Sequence, residues 1–197
     1  MGKRTELRLQ REQQKRNSII TIVIGVSIMV LGVFALTSAP RLNANAGGGQ
    51  SLSTIPMEVN YPAPELSLQN INGTTESLTD YRDSVLLVNN WATWCPPCKA
   101  EMPTLVAYYK DHAQQGFMII AIENGEPKNE VQQFVDILKM PFPVWLDPNG
   151  DSGMAFKNHN LPNSYVIDRT GTVRLMWTGE ITRDALEQYV TALLTEN

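Results

Sequence analysis

Apolar and polar positions divide the chain into stretches of different character. Ile19 to Leu36, IITIVIGVSIMVLGVFAL, is an unbroken apolar run in which Thr21 and Ser27 supply the only side-chain hydroxyls. Residues 38–60 show little periodicity and are rich in Gly, Ala, Asn and Ser, the composition of a flexible tether. After the tether the pattern is that of an α/β domain. A hairpin is expected around Asn70-Ile71-Asn72-Gly73, because Asn-Gly supplies the turn. Val85 to Trp91 reads as a buried strand, followed by a helix from about Cys95 to Gln115. The apolar stretch Phe117 to Ile122 predicts a second buried strand. Val131, Phe134, Val135 and Leu138 recur at helical spacing and predict a helix over about Lys128–Lys139. A short strand Pro143–Leu146 and a brief helix near Ser152–Lys157 come next. Strands Ser164–Asp168 and Val173–Thr178 flank the turn Arg169-Thr170-Gly171-Thr172, and a closing helix covers about Thr182–Leu194. Strand and helix alternate first, and a hairpin and helix then close the domain. That order predicts a mixed central sheet with helices on both faces.

The apolar run changes the topology. At about 1.5 Å per residue it covers roughly 27 Å, close to the ~30 Å hydrocarbon thickness of a bilayer. Residues 1–16 ahead of it carry Lys3, Arg4, Arg8, Arg11, Lys15 and Arg16 against Glu6 and Glu12, and such a basic flank stays cytoplasmic. The expected organisation is a cytoplasmic basic N-terminus over 1–18, a transmembrane helix over 19–37 in contact with the lipid bilayer, the tether over 38–60, and one domain over 61–197. The alternative is a cleaved signal peptide, for which Ala44-Asn45-Ala46 is a small-residue cleavage site. The apolar core exceeds the ~7 to 15 residues of a signal peptide, and that site sits well downstream of it. No cysteine lies directly after the run, which argues against a lipid-attached N-terminus. Either way the domain lies outside the cytosol, where disulfides form and persist. The expected location is the cell membrane, in a single pass.

Composition narrows the partners. Hydrophobic residues make up 43% and charged residues 18% of the chain, an ordinary globular balance. The net charge is -4, and the chain after residue 16 is more acidic than that, because the first 16 residues are basic. An acidic domain without a basic stripe has no footprint for nucleic acid.

The chemistry is concentrated in Trp94-Cys95-Pro96-Pro97-Cys98-Lys99, which holds both cysteines of the chain. Cys95 falls where the strand turns into the helix, beside unpaired amides and the positive end of the helix dipole. A thiolate is stabilised there, so the first sulfur is the expected nucleophile. Pro96 and Pro97 are tolerated in a first helical turn, where the amide hydrogens they lack have no partner anyway. Cys98 is one turn on, close enough to close a small disulfide ring, so Cys95 can attack a partner's disulfide and Cys98 resolve the mixed disulfide. The expectation is an exposed, reactive Cys95 and a shielded Cys98. A zinc half-site is a competing reading, but a closed site needs about four ligands and only His112 and His159 remain. A structural disulfide is another, but a bridge enclosing two residues adds little stability.

Trp91-Ala92-Thr93-Trp94-Cys95-Pro96-Pro97-Cys98-Lys99, with Pro103 in the helix and Leu161-Pro162-Asn163-Ser164-Tyr165-Val166-Ile167-Asp168 downstream, resembles the thioredoxin superfamily and its membrane-anchored TlpA/ResA-like branch. The resemblance covers about residues 60–195. It implies a thioredoxin-like fold with an N-terminal hairpin and a helix-strand insert at about 124–147. It also implies extracytoplasmic thiol-disulfide exchange with protein substrates, often as a reductant in cytochrome c maturation. Apocytochrome c is then a candidate substrate and a membrane thiol-disulfide protein the electron donor. Pro162 matches a proline that is cis in this superfamily and faces the cysteines. Leu161 and Pro162, with Trp94, Pro96 and Pro97, are then the expected substrate-binding residues. Glu101 matches an acid of the anchored branch that tunes thiol protonation, and a carboxylate there raises a neighbouring thiol's pKa. Asn89 stands where cytosolic thioredoxins carry a buried acid. The histidines are expected on the surface, and no metal or other cofactor is expected. Two other functions compete. A membrane-tethered binding module would use the cysteines structurally, and a peroxidase of the related peroxiredoxin group would need a Pro-x-x-x-Thr-x-x-Cys stretch, which does not occur.

Overall fold

The computed structural model describes residues 55–196. Its strands are β1 (Met57–Pro62), β2 (Ser67–Asn70), β3 (Thr75–Ser77), β4 (Val85–Trp91), β5 (Phe117–Glu123), β6 (Val144–Leu146), β7 (Asn163–Ile167) and β8 (Thr172–Thr178). The helices are α1 (Pro96–His112), α2 (Lys128–Leu138) and α3 (Asp151–Ala155), with a closing helical segment, α4, built from Arg183–Ala185, a wider π turn Leu186–Val190, and Thr191–Thr195. Among the described residues the strands form one mixed sheet in the order β1-β8-β7-β4-β5-β6-β2-β3.

β4 lies in the interior of the sheet, parallel to β5 and antiparallel to β7, and all seven of its residues are buried. Its side chains alternate. Val85, Leu87 and Trp91 enter one core, while Leu86 and Val88 enter the other. This is why the strand reads as a continuous apolar run rather than an alternating one: both faces are covered. The cover is uneven. α1, α2 and α4 all bury residues in the core that holds Leu87, including Met102, Leu105, Val131, Leu186 and Val190. The opposite core is closed by α3 through Phe156, by the helical turn Leu78–Tyr81 through Leu78, and by Leu66 and Leu68.

The expected hairpin is β2–β3, with Asn70 Oδ1 accepting the amides of Asn72 and Thr74 at 2.9 and 3.0 Å and Gly73 at φ 91°. A positive φ there suits glycine. The expected insert is α2 plus β6, and β2 pairs with β6, so the hairpin extends that edge of the sheet.

Two expectations change. Within the span expected as tether, β1 starts at Met57 and pairs with β8, from Met57 opposite Met176 to Pro62 opposite Thr172. Val59 and Tyr61 pack on the second core, so their alternation with Glu58 and Asn60 is a strand signal. His112 is buried rather than at the surface, with its ring 4.3 Å from that of Tyr108 and Nε2 3.5 Å from Glu187. It sits on the buried stripe of α1. His159 is exposed, as expected. Among the described residues no helix is long and apolar enough to cross a membrane. The expected transmembrane helix at 19–37 lies outside the described residues.

Candidate active site

Strand β4 ends at Trp91, and Ala92, Thr93 and Trp94 carry the chain to Cys95, the N-cap of α1. Cys95 has extended backbone angles (φ -88°, ψ 108°), its sulfur accepts the Cys98 amide at 3.3 Å, and prolines fill the first two helical positions. The cap, which Ser or Asp usually supplies through oxygen, is here a sulfur. The two cysteines are joined by a disulfide with Cα atoms 5.3 Å apart. Both sulfurs belong to the core against α1, with Cys95 3% and Cys98 0% exposed. The expected contrast between an open Cys95 and a closed Cys98 is therefore small in the disulfide form, because both side chains pack against the apolar core. Around this pair the surface is apolar: Trp94 is 64% exposed and Pro96 and Pro97 are exposed.

β7 approaches from the other side. Pairing of Asn89 with Ser164 and of Asn90 with Asn163 puts the start of β7 beside the end of β4 from which the chain turns to Cys95. The Leu161–Pro162 bond is cis, Pro162 is buried, and Leu161 packs against the core that contains both cysteines. The Pro162 carbonyl accepts the Gly179 amide at 2.8 Å.

Glu101 is buried within α1. It lies on the buried stripe of α1 with Cys98, Met102, Leu105, Tyr108 and His112, and is 0% exposed. Its Oε1 accepts Asn89 Nδ2 at 2.8 Å and its Oε2 accepts the Ile181 amide at 2.9 Å. Burial pushes its pKa from the ordinary 4.5 up to about 8, and the charge of Glu180 adds to the rise, while the two hydrogen bonds oppose it. Burial thus favours the neutral acid, while the two hydrogen bonds favour the carboxylate that would raise a neighbouring thiol's pKa.

A second buried acid was missed because the expected strand stopped at Ile122. Glu123 ends β5, is 0% exposed, and both of its oxygens accept the Glu126 amide, at 3.2 and 3.1 Å. Burial, then the Glu126 carboxyl bonded to it, push its pKa up to about 8. Glu126 in turn accepts the backbone amide and the hydroxyl of Thr93, two residues before Cys95. The loop into the active site is thus tied to the end of β5. The acid spacing Glu123-Asn124-Gly125-Glu126 at a strand end is the sequence signal for this tie, but its partner lies 33 positions away.

Among the described residues no group of His, Cys, Asp and Glu is placed to hold a metal ion. The geometry carries one two-electron couple, the Cys95–Cys98 disulfide and its dithiol, with the buried Glu101 one helical turn beyond Cys98.

Similarity to known proteins agrees with this chemistry. Residues 59–176 match the AhpC/TSA family. The thiol-disulfide oxidoreductase ResA of Geobacillus thermodenitrificans is 33% identical over 135 residues, 68% of this chain and 78% of that protein. ResA of Bacillus subtilis is 31% identical over 179 residues, 91% of this chain and 94% of that protein. Among solved structures, a thiol:disulfide interchange protein of the thioredoxin family from Chlorobium tepidum TLS aligns with TM-score 0.63 and 27% identity, over 70% of this chain and 99% of its own. The matched segment contains the sheet, the cysteine pair at the helix terminus and the cis-proline strand, and the chain accordingly belongs to the AhpC/TSA family, with a thioredoxin-like fold and the activity class of a thiol-disulfide oxidoreductase.

Proposed function

We propose that this chain reduces disulfides in extracytoplasmic protein substrates, apocytochrome c among them, and is recharged by a membrane thiol-disulfide donor. The observation that carries the reading is the Cys95–Cys98 pair closed across the N-terminus of α1. In the reduced chain the helix terminus favours a Cys95 thiolate. That thiolate attacks one sulfur of the substrate disulfide, forming a mixed disulfide and releasing the other substrate sulfur as a thiolate. Cys98 then gives up its proton and attacks Cys95, which restores the Cys95–Cys98 disulfide and expels the second substrate thiolate. Two electrons pass to the substrate, whose sulfurs end as thiols. Glu101, one helical turn beyond Cys98, takes the Cys98 proton when it is in its carboxylate form, which a pKa near ambient pH keeps within reach. The apolar Trp94-Pro96-Pro97 surface and the Leu161-Pro162 edge form the docking groove. The match to Bacillus subtilis ResA over 91% of the chain extends into the residues ahead of 55, and the basic flank before the apolar run supports a cytoplasmic N-terminus, a membrane anchor at 19–37 and an exported domain.

Cys98→Ser tests the exchange chemistry. The variant is expected to accumulate substrates as mixed disulfides on Cys95, releasable by reductant. Capture of nothing would favour a tethered binding module. The direction of electron flow is read from the reduction potential against glutathione. A value more reducing than the glutathione couple is expected, and a strongly oxidising one would reverse the role. A reporter active only in the cytoplasm, fused after Asn197, is expected to stay silent.

A further inference from the structure

Asn89 lies on β4, fully buried, with the parity of Leu87 and Trp91 that faces α1. Its Nδ2 donates to Glu101 Oε1 at 2.8 Å and to Ser164 Oγ at 2.9 Å, while its Oδ1 is buried with no hydrogen-bond partner. An unpartnered buried acceptor is destabilising. Glu101 Oε2 meanwhile accepts the Ile181 amide. Both carboxyl oxygens therefore face donors, which is the bond set of a carboxylate. A neutral carboxyl must also place a proton, and neither the Ile181 N–H nor an amide NH2 accepts one. Yet all three side chains, Asn89, Glu101 and Ser164, are 0% exposed, and such burial favours the neutral acid. One motion offers each form of Glu101 a matching partner, and in doing so moves the amide NH2 to the place where Oδ1 now has no partner. Turning the carboxamide by half a revolution puts Oδ1 where Nδ2 was, within reach of Glu101 and Ser164, and both of these carry O–H groups that can donate to it.

We propose that Asn89 is a positioning residue for the proton on Glu101: its carboxamide donates to the carboxylate and turns over to accept from the neutral acid. Glu101 then changes protonation while remaining in its buried position. No covalent bond changes. One proton enters or leaves Glu101, and the Ser164 hydroxyl reorients with the amide. The inference rests on Glu101 being the proton-handling group of the exchange reaction. The charged group acting on it is Glu180, in the loop after β8; Cys98 shares its buried stripe on α1, and β4 and β7 contribute the neutral Asn89 and Ser164.

The test uses the full-length chain with the disulfide closed, so that the cysteines do not titrate. Asparagine side chains carry 13C and 15N labels, the Asn89 signal is the one lost in Asn89→Ala, and the neutral carboxyl of Glu101 is the infrared band lost in Glu101→Gln. Glu180→Gln removes the other nearby acid. The expected result is an Asn89 side-chain shift with the same midpoint as the Glu101 band, absent in Glu101→Gln. A stationary Asn89 signal while Glu101 titrates overturns the inference and leaves the role of Glu101 standing. A Glu101 band that does not titrate between about pH 5 and 10 overturns both. Kinetics give a second readout. Asn89→Ala is expected to slow exchange about tenfold, most strongly around the Glu101 midpoint. A loss of equal size at every pH marks Asn89 as a packing residue and overturns the proposal.

Discussion

Glu101 and Glu123 are both completely buried, and burial pushes both from the ordinary 4.5 to about 8. Their partners differ. Glu101 faces N–H groups of Asn89 and Ile181 from two other elements of the fold, whereas Glu123 takes the amide of Glu126 three residues on and meets its carboxyl. The first arrangement is the one in which we propose that a proton moves during exchange. The second spends its acid on holding a loop, because Glu126 binds Thr93 on the way to Cys95. A raised pKa therefore does not identify a catalytic group; the partners decide what the proton is for.

Exchange kinetics separate the two acids most sharply. Glu101→Gln keeps the shape and the hydrogen-bonding length of the side chain but holds no exchangeable acid proton. It is expected to slow disulfide exchange by about 10²-fold or more. Glu123→Gln is expected to change the rate by less than about tenfold. Equal losses from both substitutions, measured by stopped-flow reduction of a protein disulfide, would erase the distinction.

Stability is the readout in which the two acids act alike. Each has a folded pKa above its unfolded value, so the native state binds more protons than the unfolded state between about pH 4.5 and 8. Stability contributed by the neutral forms is therefore complete below about 4.5, falls as pH rises to about 8, and is flat above. Each Gln variant is expected to flatten that decline by about 1–3 kcal/mol at pH 8, seen as a denaturation midpoint less sensitive to pH. A parent whose stability rises over this window would show that neither carboxyl is desolvated.

The smallest effect is expected from the loop tie itself. Glu126→Ala removes the acceptor of two Thr93 donors and is expected to cost about 1–2 kcal/mol of stability and to slow exchange severalfold by loosening the approach to Cys95. Thr93→Val in the same background should add little, since the hydroxyl has already lost its partner. Additive losses from the two substitutions would show that Glu126 and Thr93 act independently.

Much of this site was readable in advance. The run Val85 to Trp91, buried on both faces, and the prolines of Cys95-Pro96-Pro97-Cys98 place a cysteine at a helix N-terminus by local rules alone. The burial of Glu101 was also within reach: Cys98, Glu101, Leu105, Tyr108 and His112 recur at intervals of three and four, the spacing of one helical stripe. That stripe includes His112, which explains why a histidine expected outside is inside. β1 was hidden by composition, because the Gly- and Asn-rich tether runs directly into the alternating Met57, Val59 and Tyr61. Glu123 escaped notice because an acid after an apolar strand looks like its end.

The sequence by itself determined the class of chemistry. Two thiols separated by Pro-Pro, a strand before them and a helix after them are features within about ten residues of each other, and backbone propensity and the helix dipole act on that scale. Only the tertiary structure decided how protons are handled there. Asn89, Glu101 and Ser164 meet across separations of 12 and 75 positions, and Glu126 reaches Thr93 across 33. Desolvation and hydrogen-bond partners depend on which surfaces of β4, β7 and α1 close over a side chain. No local spacing encodes that closure, because it is the packing of the whole sheet that removes water from around a carboxyl group.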